Sequence, residues 1–437
     1  MSLTVIGGGL AGCEAAWQAA SRGRNVDLYE MRPKRMTPAH TSGDLAELVC
    51  SNSFRSEAPS SAVGALKSEM KVLHSLVLAA AEASRVPAGK ALAVDRTAFA
   101  RFITSAIESH PRIRIHRDEI TLLPEKTDTI IATGPLTSPA LTRSLIELLG
   151  TKTLSFYDAI APIVDATTIE PSRVFRQSRY DGTKDGDYLN VSLTESEYSF
   201  LVDFLRRASV RSHLPELEKP SFFEGCLPIE EMARRGEETL RFGPLKPVGL
   251  TDPRTNERPY AVIQLRRESL HGELYNLVGF QTQLSIPDQK TLFRSLFPFR
   301  SARFARYGSA HRNTYLDSPR LLAPDLSVLR FPRLRFAGQI SGVEGYVESA
   351  ASGLLAGILA GGEQELPPVE TVLGGLVRYI TTSAATPFQP MKANWGLVPE
   401  PPGRLRKRER NQRRAEISTA AVQNYARRLR LLSPLPS

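Results

Sequence analysis

A chain of 437 residues is too long for one small core and predicts two domains, each able to bury a substantial apolar interior. Lysine and arginine outnumber aspartate and glutamate by 56 to 46, a formal charge of +10 that points to a polyanionic partner, nucleic acid first, without specifying a fold. The 3 cysteines, Cys13, Cys50 and Cys226, exclude a disulfide framework and lack the spacing of a structural zinc, so no metal is expected and the compartment is a reducing one.

The chain opens on Leu3-Thr4-Val5-Ile6, a short apolar strand, then Gly7-Gly8-Gly9-Leu10-Ala11-Gly12, a helix over Cys13 to Ser21, a strand over Asn25 to Tyr29, and Glu30. Strand, glycine turn, helix, strand and acid make a dinucleotide site. Gly7 permits the tight turn, Gly9 lets the backbone approach a pyrophosphate, Gly12 lets the helix pack on the strand, and the helix N-terminus offers N–H groups to the phosphates. Glu30 follows Gly12 at close to the ~20-residue interval of a carboxylate that binds a ribose. An acid there favours FAD or NAD over NADP. Met1-Ser2-Leu3 runs straight into this strand, which leaves no room for a signal peptide and predicts a cytoplasmic protein. No apolar stretch reaches the ~18 residues of a membrane span, so no membrane association is expected.

Further along, Glu69 to Arg85 carries apolar residues at helical spacing and ends at Val86-Pro87, and Arg96 to Ser109 reads as a helix opening after Asp95. Thr129 to Thr133 is an apolar strand that stops at Gly134, either as a plain strand end or where a flavoprotein chain passes its cofactor again. From Pro162 to Arg320 short alternating segments such as Tyr260–Leu265 and Leu274–Phe280 predict an inserted, sheet-containing domain. Leu334 to Gln339, another strand ending in a glycine, Gly338, and the small-residue helix Ser349 to Leu359, expected to pack on the sheet, mark the return of the first domain. Past Glu365 the chain is proline-rich. It then carries the basic block Arg404 to Arg410 and a helical pattern over Ile417 to Leu431, which read either as a solvated face or as a phosphate-binding tail.

The fold class is therefore α/β: a Rossmann-like FAD-binding domain with a doubly wound, mainly parallel sheet, interrupted by an inserted α+β domain. The expected divisions are 1–161 and 321–402 for the FAD-binding domain, 162–320 for the insertion, and 403–437 for the basic tail.

Cys50 and Cys226 lie in polar, glycine-punctuated segments. A thiol with a pKa near 8.5 is only about 3% thiolate at pH 7, so a nucleophile needs a nearby cation or helix N-terminus, and the sequence shows neither. Each is a small buried hydrophobe or a reactive group. Cys13, beside Gly12, reads as packing. His40 and His311 taken singly read as loop structure.

Taken together these residues resemble the folate- and FAD-dependent tRNA (uracil-5-)-methyltransferases, which are similar to the glucose-inhibited division A flavoproteins. The resemblance rests on Gly7 to Gly12, Glu30-Met31-Arg32-Pro33, Thr37-Pro38-Ala39-His40, Val49-Cys50-Ser51-Asn52-Ser53, Ala91 to Arg96 and Ala132 to Thr137. It continues through Gly225-Cys226-Leu227-Pro228, Phe242 to Leu250, His311 to Tyr315, Gly342 to Tyr346 and Asn394 to Leu397, and so covers nearly the whole chain. It implies C5-methylation of the T-loop uridine of tRNA, with methylenetetrahydrofolate as carbon donor, reduced FAD as hydride donor and NADH or NADPH as reductant. By resemblance Cys226 is the thiolate that adds to uracil C6, Cys50 lies close to the flavin, and His311 with Tyr346 takes the folate. Gly7, Gly8, Gly9, Leu10, Ala11, Gly12, Glu30, Met31, Arg32, Gly134, Gly338, Gly345 and Tyr346 are expected around the FAD, and Lys246, Arg266, Arg267, Arg406 and Arg408 on tRNA phosphates. The competing readings are a division-A-type enzyme acting on a wobble uridine, an S-adenosylmethionine methyltransferase, and a non-catalytic, flavin-loaded tRNA-binding protein.

Overall fold

At the centre of a six-stranded, mainly parallel sheet lies Leu3–Ile6, whose four residues are all buried. A computed structural model describes residues 2–124, 127–150, 154–180, 186–208, 227–268, 273–385 and 388–429, with the backbone alone at 154–159 and 310–312. The six-stranded sheet runs in the order Ser327–Val328, Phe331–Phe336, Thr129–Ile131, Leu3–Ile6, Val26–Tyr29 and Ile113–His116. All neighbours are parallel except the first pair. From Leu3–Ile6 the chain winds outward to Val26–Tyr29 and Ile113–His116, then returns to add Thr129–Ile131 on the other side. That reversal opens a crevice at the carboxyl ends of Leu3–Ile6 and Thr129–Ile131, where open α/β sheets bind ligands.

The helix Leu10–Ser21 follows the first strand, and Tyr346–Ala360 lies along it and shares its core with the sheet strands. The glycines of the second helix explain the close approach of the two helices. A Cβ on Gly353 would stand 2.2 Å from the carbonyl oxygen of Ala11, and one on Gly357 2.4 Å from that of Ala15. Backbones this close leave no room for side chains between them, and the contact aims the start of Tyr346–Ala360 at the crevice.

The helix expected over Glu69 to Arg85 is two, Ala62–Val72 and Leu76–Ala83. His74 turns the chain at φ 59°, and the buried carboxylate of Glu14 accepts the N–H groups of Leu76 (3.2 Å) and Val77 (2.9 Å) and the hydroxyl of Ser75 (2.9 Å). A capped new helix thus replaces the continuation that periodicity suggested. Arg96–Ser109 forms as read, with Asp95 accepting from Thr97 and Ala98, each at 3.0 Å.

A second six-stranded sheet is wholly antiparallel, in the order Val174–Arg176, Tyr188–Leu193, Ala261–Arg267, Leu274–Leu277, Ile163–Asp165 and Phe304–Arg306. Along Ala261–Arg267 the apolar Ala261, Ile263 and Leu265 face a core shared with helix Glu195–Arg207, while Gln264 and Arg266 face the opposite way. The antiparallel ribbon of Leu154–Ile160 and Ser309–Tyr315 carries the chain into and out of this layer.

The C-terminal basic segment is a docked helix, Lys407–Arg428, which begins ten residues before the expected Ile417. Its Tyr425 hydroxyl donates to the Glu365 carbonyl at 2.8 Å, Arg414 pairs with Glu400 at 2.7 Å, and the Ser418 hydroxyl donates to buried Glu69. Among the described residues no helix is long and apolar enough to cross a membrane, and no cluster of acidic, histidine and cysteine side chains could hold a metal ion.

Candidate active site

The crevice encloses about 1040 Å³, open to solvent, and its wall includes Gly7, Gly9, Leu10, Ala11, Glu30, Met31, Arg32, Gly134, Gly338 and Tyr346. Sequence-distant segments meet here: Ala132 to Ser138 lines the same wall as the glycine turn. The four glycines differ sharply in their surroundings. A Cβ on Gly12 would stand 1.7 Å from the Gly7 carbonyl oxygen, one on Gly7 2.6 Å from that of Ala132, and one on Gly8 2.6 Å from Leu45 Cδ2, whereas a Cβ on Gly9 would project into open space. Helix Leu10–Ser21 starts at Gly9 with no side-chain cap, so its first N–H groups are left for a ligand. That cradle, which a side chain at Gly9 would fill, fits the pyrophosphate of FAD.

Glu30 closes the far end of the cradle. Its Oε2 accepts the N–H of Gly8 at 2.9 Å, and its Oε1 accepts both the N–H and the Nε–H of Arg32 at 3.0 Å. Burial raises the cost of its charge, but the Arg32 guanidinium and these bonds outweigh that and hold the carboxyl below its usual range. Arg32, 1% exposed, also pairs with Glu47 at 3.1 Å. The carboxylate facing the cradle is therefore ionised and already fixed in place.

At the other end Gly345, at φ +114°, turns the chain into Tyr346–Ala360. The Tyr346 hydroxyl accepts the N–H groups of Cys50 (2.9 Å) and Ser51 (3.1 Å). Arginines grip the same loop. Arg96 donates to the carbonyls of Leu48 (2.7 Å) and Cys50 (3.3 Å), Arg306 to that of Val49 (3.0 Å), and Arg266 to Ser51 Oγ (2.7 Å) and Asn52 Oδ1 (2.8 Å). Asn52, fully buried, donates in turn to the carbonyls of Val94 (2.9 Å) and Arg267 (2.8 Å) and so ties the loop to the antiparallel sheet.

The model of the family described as glucose inhibited division protein A matches residues 2–365. A relative from Geobacter sulfurreducens, named methylenetetrahydrofolate–tRNA-(uracil-5-)-methyltransferase TrmFO, is 53% identical over 429 residues, covering 97% of this chain and 98% of its own. One of the same name from Moorella thermoacetica is 53% identical over 414 residues, covering 93% and 94%. The chain belongs to this family of folate-dependent tRNA methyltransferases. The solved structure of Aquifex aeolicus GidA shares the fold, with a TM-score of 0.71 at 17% identity over 99% of this chain and 74% of that one.

Of the candidate catalytic and folate residues, Cys50 follows Val49, which lines the crevice, and its backbone N–H bonds the Tyr346 hydroxyl. Cys226 lies outside the described residues. The backbone of His311 pairs with Asp158 in the connecting ribbon, and its side chain also falls outside them. Cys13 is buried in packing, donating to the Gly8 carbonyl at 3.3 Å, and burial pushes its thiol pKa up.

The tRNA candidates divide. Arg406 and Arg408 are exposed. Lys246 is half-buried, and its carbonyl accepts from Arg179 at 2.6 Å. Arg267 is half-buried over the Tyr275 ring at 5.9 Å. Arg266 is 7% exposed and committed to Ser51 and Asn52, so the expected phosphate contact gives way to a loop-holding role. Arg96, Arg306 and Asn52 were not singled out from sequence. Asn52 and Arg96 sit in runs that carry the family resemblance, but only the fold brings Arg306 to them.

Proposed function

We propose that the protein methylates C5 of the T-loop uridine of tRNA, uridine 54, to give ribothymidine. Near-full-length identity to methyltransferases of that name carries the reading. The division-A-type alternative shares the family model and the fold but only 17% identity with the solved GidA structure, the S-adenosylmethionine reading does not explain the FAD cradle, and the flavin-loaded, non-catalytic reading does not account for the near-full-length likeness to named methyltransferases.

The chain's own residues divide the work. Gly9 and the start of Leu10–Ser21 hold the FAD pyrophosphate, with Glu30 at the ribose and Met31, Arg32, Gly134 and Gly338 around it. When bound, FAD supplies the hydride that completes the methyl group, the carbon coming from methylenetetrahydrofolate and the electrons from NADH or NADPH. Cys226 adds as thiolate to C6 of the flipped-out uracil and makes C5 nucleophilic. Cys50 serves at the crevice edge, His311 and Tyr346 take the folate, and the exposed arginines Arg406 and Arg408, with Lys246, meet tRNA phosphates. A tRNA substrate and a reduced folate place this work in the cytoplasm.

Transfer of label from methylenetetrahydrofolate to T-loop uridine, measured beside Cys226→Ala, tests the reading. The purified protein should show flavin absorbance and label tRNA, and the variant should not. Colourless protein, or label in no tRNA, overturns it.

A further inference from the structure

Three guanidiniums converge on the loop that carries Cys50. They arrive from three separate elements: Arg96 opens helix Arg96–Ser109, Arg266 lies in strand Ala261–Arg267, and Arg306 ends strand Phe304–Arg306. Between them they donate to an acceptor on each residue from Leu48 to Asn52. One carboxylate answers them, Glu268, which pairs with Arg96 at 2.5 Å and is 7% exposed.

Carbonyl and hydroxyl oxygens satisfy the N–H groups of a guanidinium but leave its charge in place. Two positive charges are therefore out of water, or largely so, without an ionic partner among the described residues, and the cost of burying unpaired charge is high. Burial, with the like charge of Arg96, pulls the pKa of both Arg266 and Arg306 down despite the pull of Glu268 the other way. The Nε of Arg306 is buried with no hydrogen-bond partner, and so is Nδ2 of Asn276, a 4% exposed side chain directly across the strand pair from Arg266. Spare donors and spare positive charge in one place call for an anion. The cysteine lies in the middle of the gripped segment.

We infer that Arg96, Arg266 and Arg306 form a cradle that holds Cys50 as its thiolate at the edge of the cofactor crevice. The thiol proton leaves to solvent, and the sulfur remains as the second anion of the cluster beside Glu268. Among the described residues, the charged and titratable groups packed around the gripped loop are these three arginines, Glu268, and Tyr346 from the helix opposite, with Tyr188 paired across the strands from Arg266. The arginines are positioning residues: they fix and charge the sulfur. The inference deepens the reading of Cys50 as catalytic and rests on it for its purpose, but its test reads the sulfur itself and requires no tRNA.

The test is the pH dependence of Cys50 alkylation by iodoacetamide in the FAD-loaded enzyme, followed at that peptide by mass spectrometry. Half-maximal rate is expected at least one pH unit below the ordinary thiol value of about 8.5, a gain of about eightfold or more in thiolate at pH 7. Arg306→Gln should move the midpoint up by about one unit and Arg306→Lys should restore it. A loosened loop alone would not follow charge in that way. Glu268→Gln, which removes the competing anion, should move the midpoint down. A wild-type midpoint at or above 8.5 overturns the inference whatever the variants do, and so does a midpoint that neither Arg306→Gln nor Glu268→Gln shifts. Methylation lost with the alkylation profile intact would instead count against the catalytic reading and leave the cradle standing.

Discussion

The Tyr346 hydroxyl accepts the backbone N–H groups of both Cys50 and Ser51, at 2.9 and 3.1 Å. The same residue begins the helix that points into the crevice and lines its wall. The wall of the crevice and the placement of the cysteine loop therefore share one side chain.

Tyr346→Phe keeps the ring and removes the acceptor, leaving two part-buried N–H groups without it. Leaving such groups unmade costs about 1–3 kcal/mol each when desolvated. The variant should retain its flavin, bind tRNA as before and lose about tenfold in methylation rate, because the loop moves relative to the crevice. Absorbance and single-turnover assays check this, and an unchanged rate would show that the loop does not need the phenol.

Gly9 and Gly12 should separate cofactor binding from folding. Gly9→Ala adds a methyl that meets no protein atom, so the protein should fold with a near-normal melting temperature yet purify with little flavin. Gly12→Ala sets a methyl 1.7 Å from a backbone oxygen that cannot withdraw, and should yield insoluble or molten protein. Flavin retained by Gly9→Ala would remove the pyrophosphate from this turn.

What could be read from the chain was local. Gly7 to Gly12, the strands on either side and Glu30 are one contiguous unit whose chemistry is set by spacing, and Asp95 before Arg96 announces a helix by its cap. The cysteine loop was visible as a motif but its environment was not, since Arg96, Arg266, Arg306 and Tyr346 reach it from sites spread over some 250 residues of chain. Arg266 illustrates the limit: alternation along a strand tells which residues share a face, and only the packed structure tells that this face is turned inward. Glu14 broke a helix that periodicity would have continued, because a buried carboxylate outbids the local pattern. The basic C-terminal helix was misjudged in extent for the opposite reason, its few apolar positions being diluted by arginines whose stems pack while their heads stay wet.

Glu69 should impose a pH dependence on stability. Its carboxylate is fully buried, accepts the N–H groups of Val372 (2.7 Å) and Leu373 (2.9 Å) and the Ser418 hydroxyl, and burial raises its pKa from 4.5 to about 7 despite those bonds. With the folded pKa above the unfolded one, the native state holds the extra proton. The stabilisation is full below about pH 4.5 and is lost as pH rises through about 7, by no more than about 3 kcal/mol. Denaturant unfolding of wild type against Glu69→Gln from pH 5 to pH 8 should show a difference that grows with pH. A constant difference would mean that Glu69 keeps one protonation state throughout.

The docking of Lys407–Arg428 by Ser418, Arg414 and Tyr425 fixes which of its arginines can serve a polyanion. Arg414 is spent on Glu400, whereas Arg406 and Arg408 stand exposed at the start of the helix. If they meet phosphates, each releases about one counterion from the tRNA on binding, so the slope of log affinity against log salt should shrink by about one unit for each contact removed. The double variant Arg406→Gln, Arg408→Gln should therefore weaken tRNA binding most at low salt and flatten the slope by about two, with the flavin spectrum unchanged. A slope equal to that of wild type would assign both arginines to the solvated face and move the phosphate contacts elsewhere on the surface.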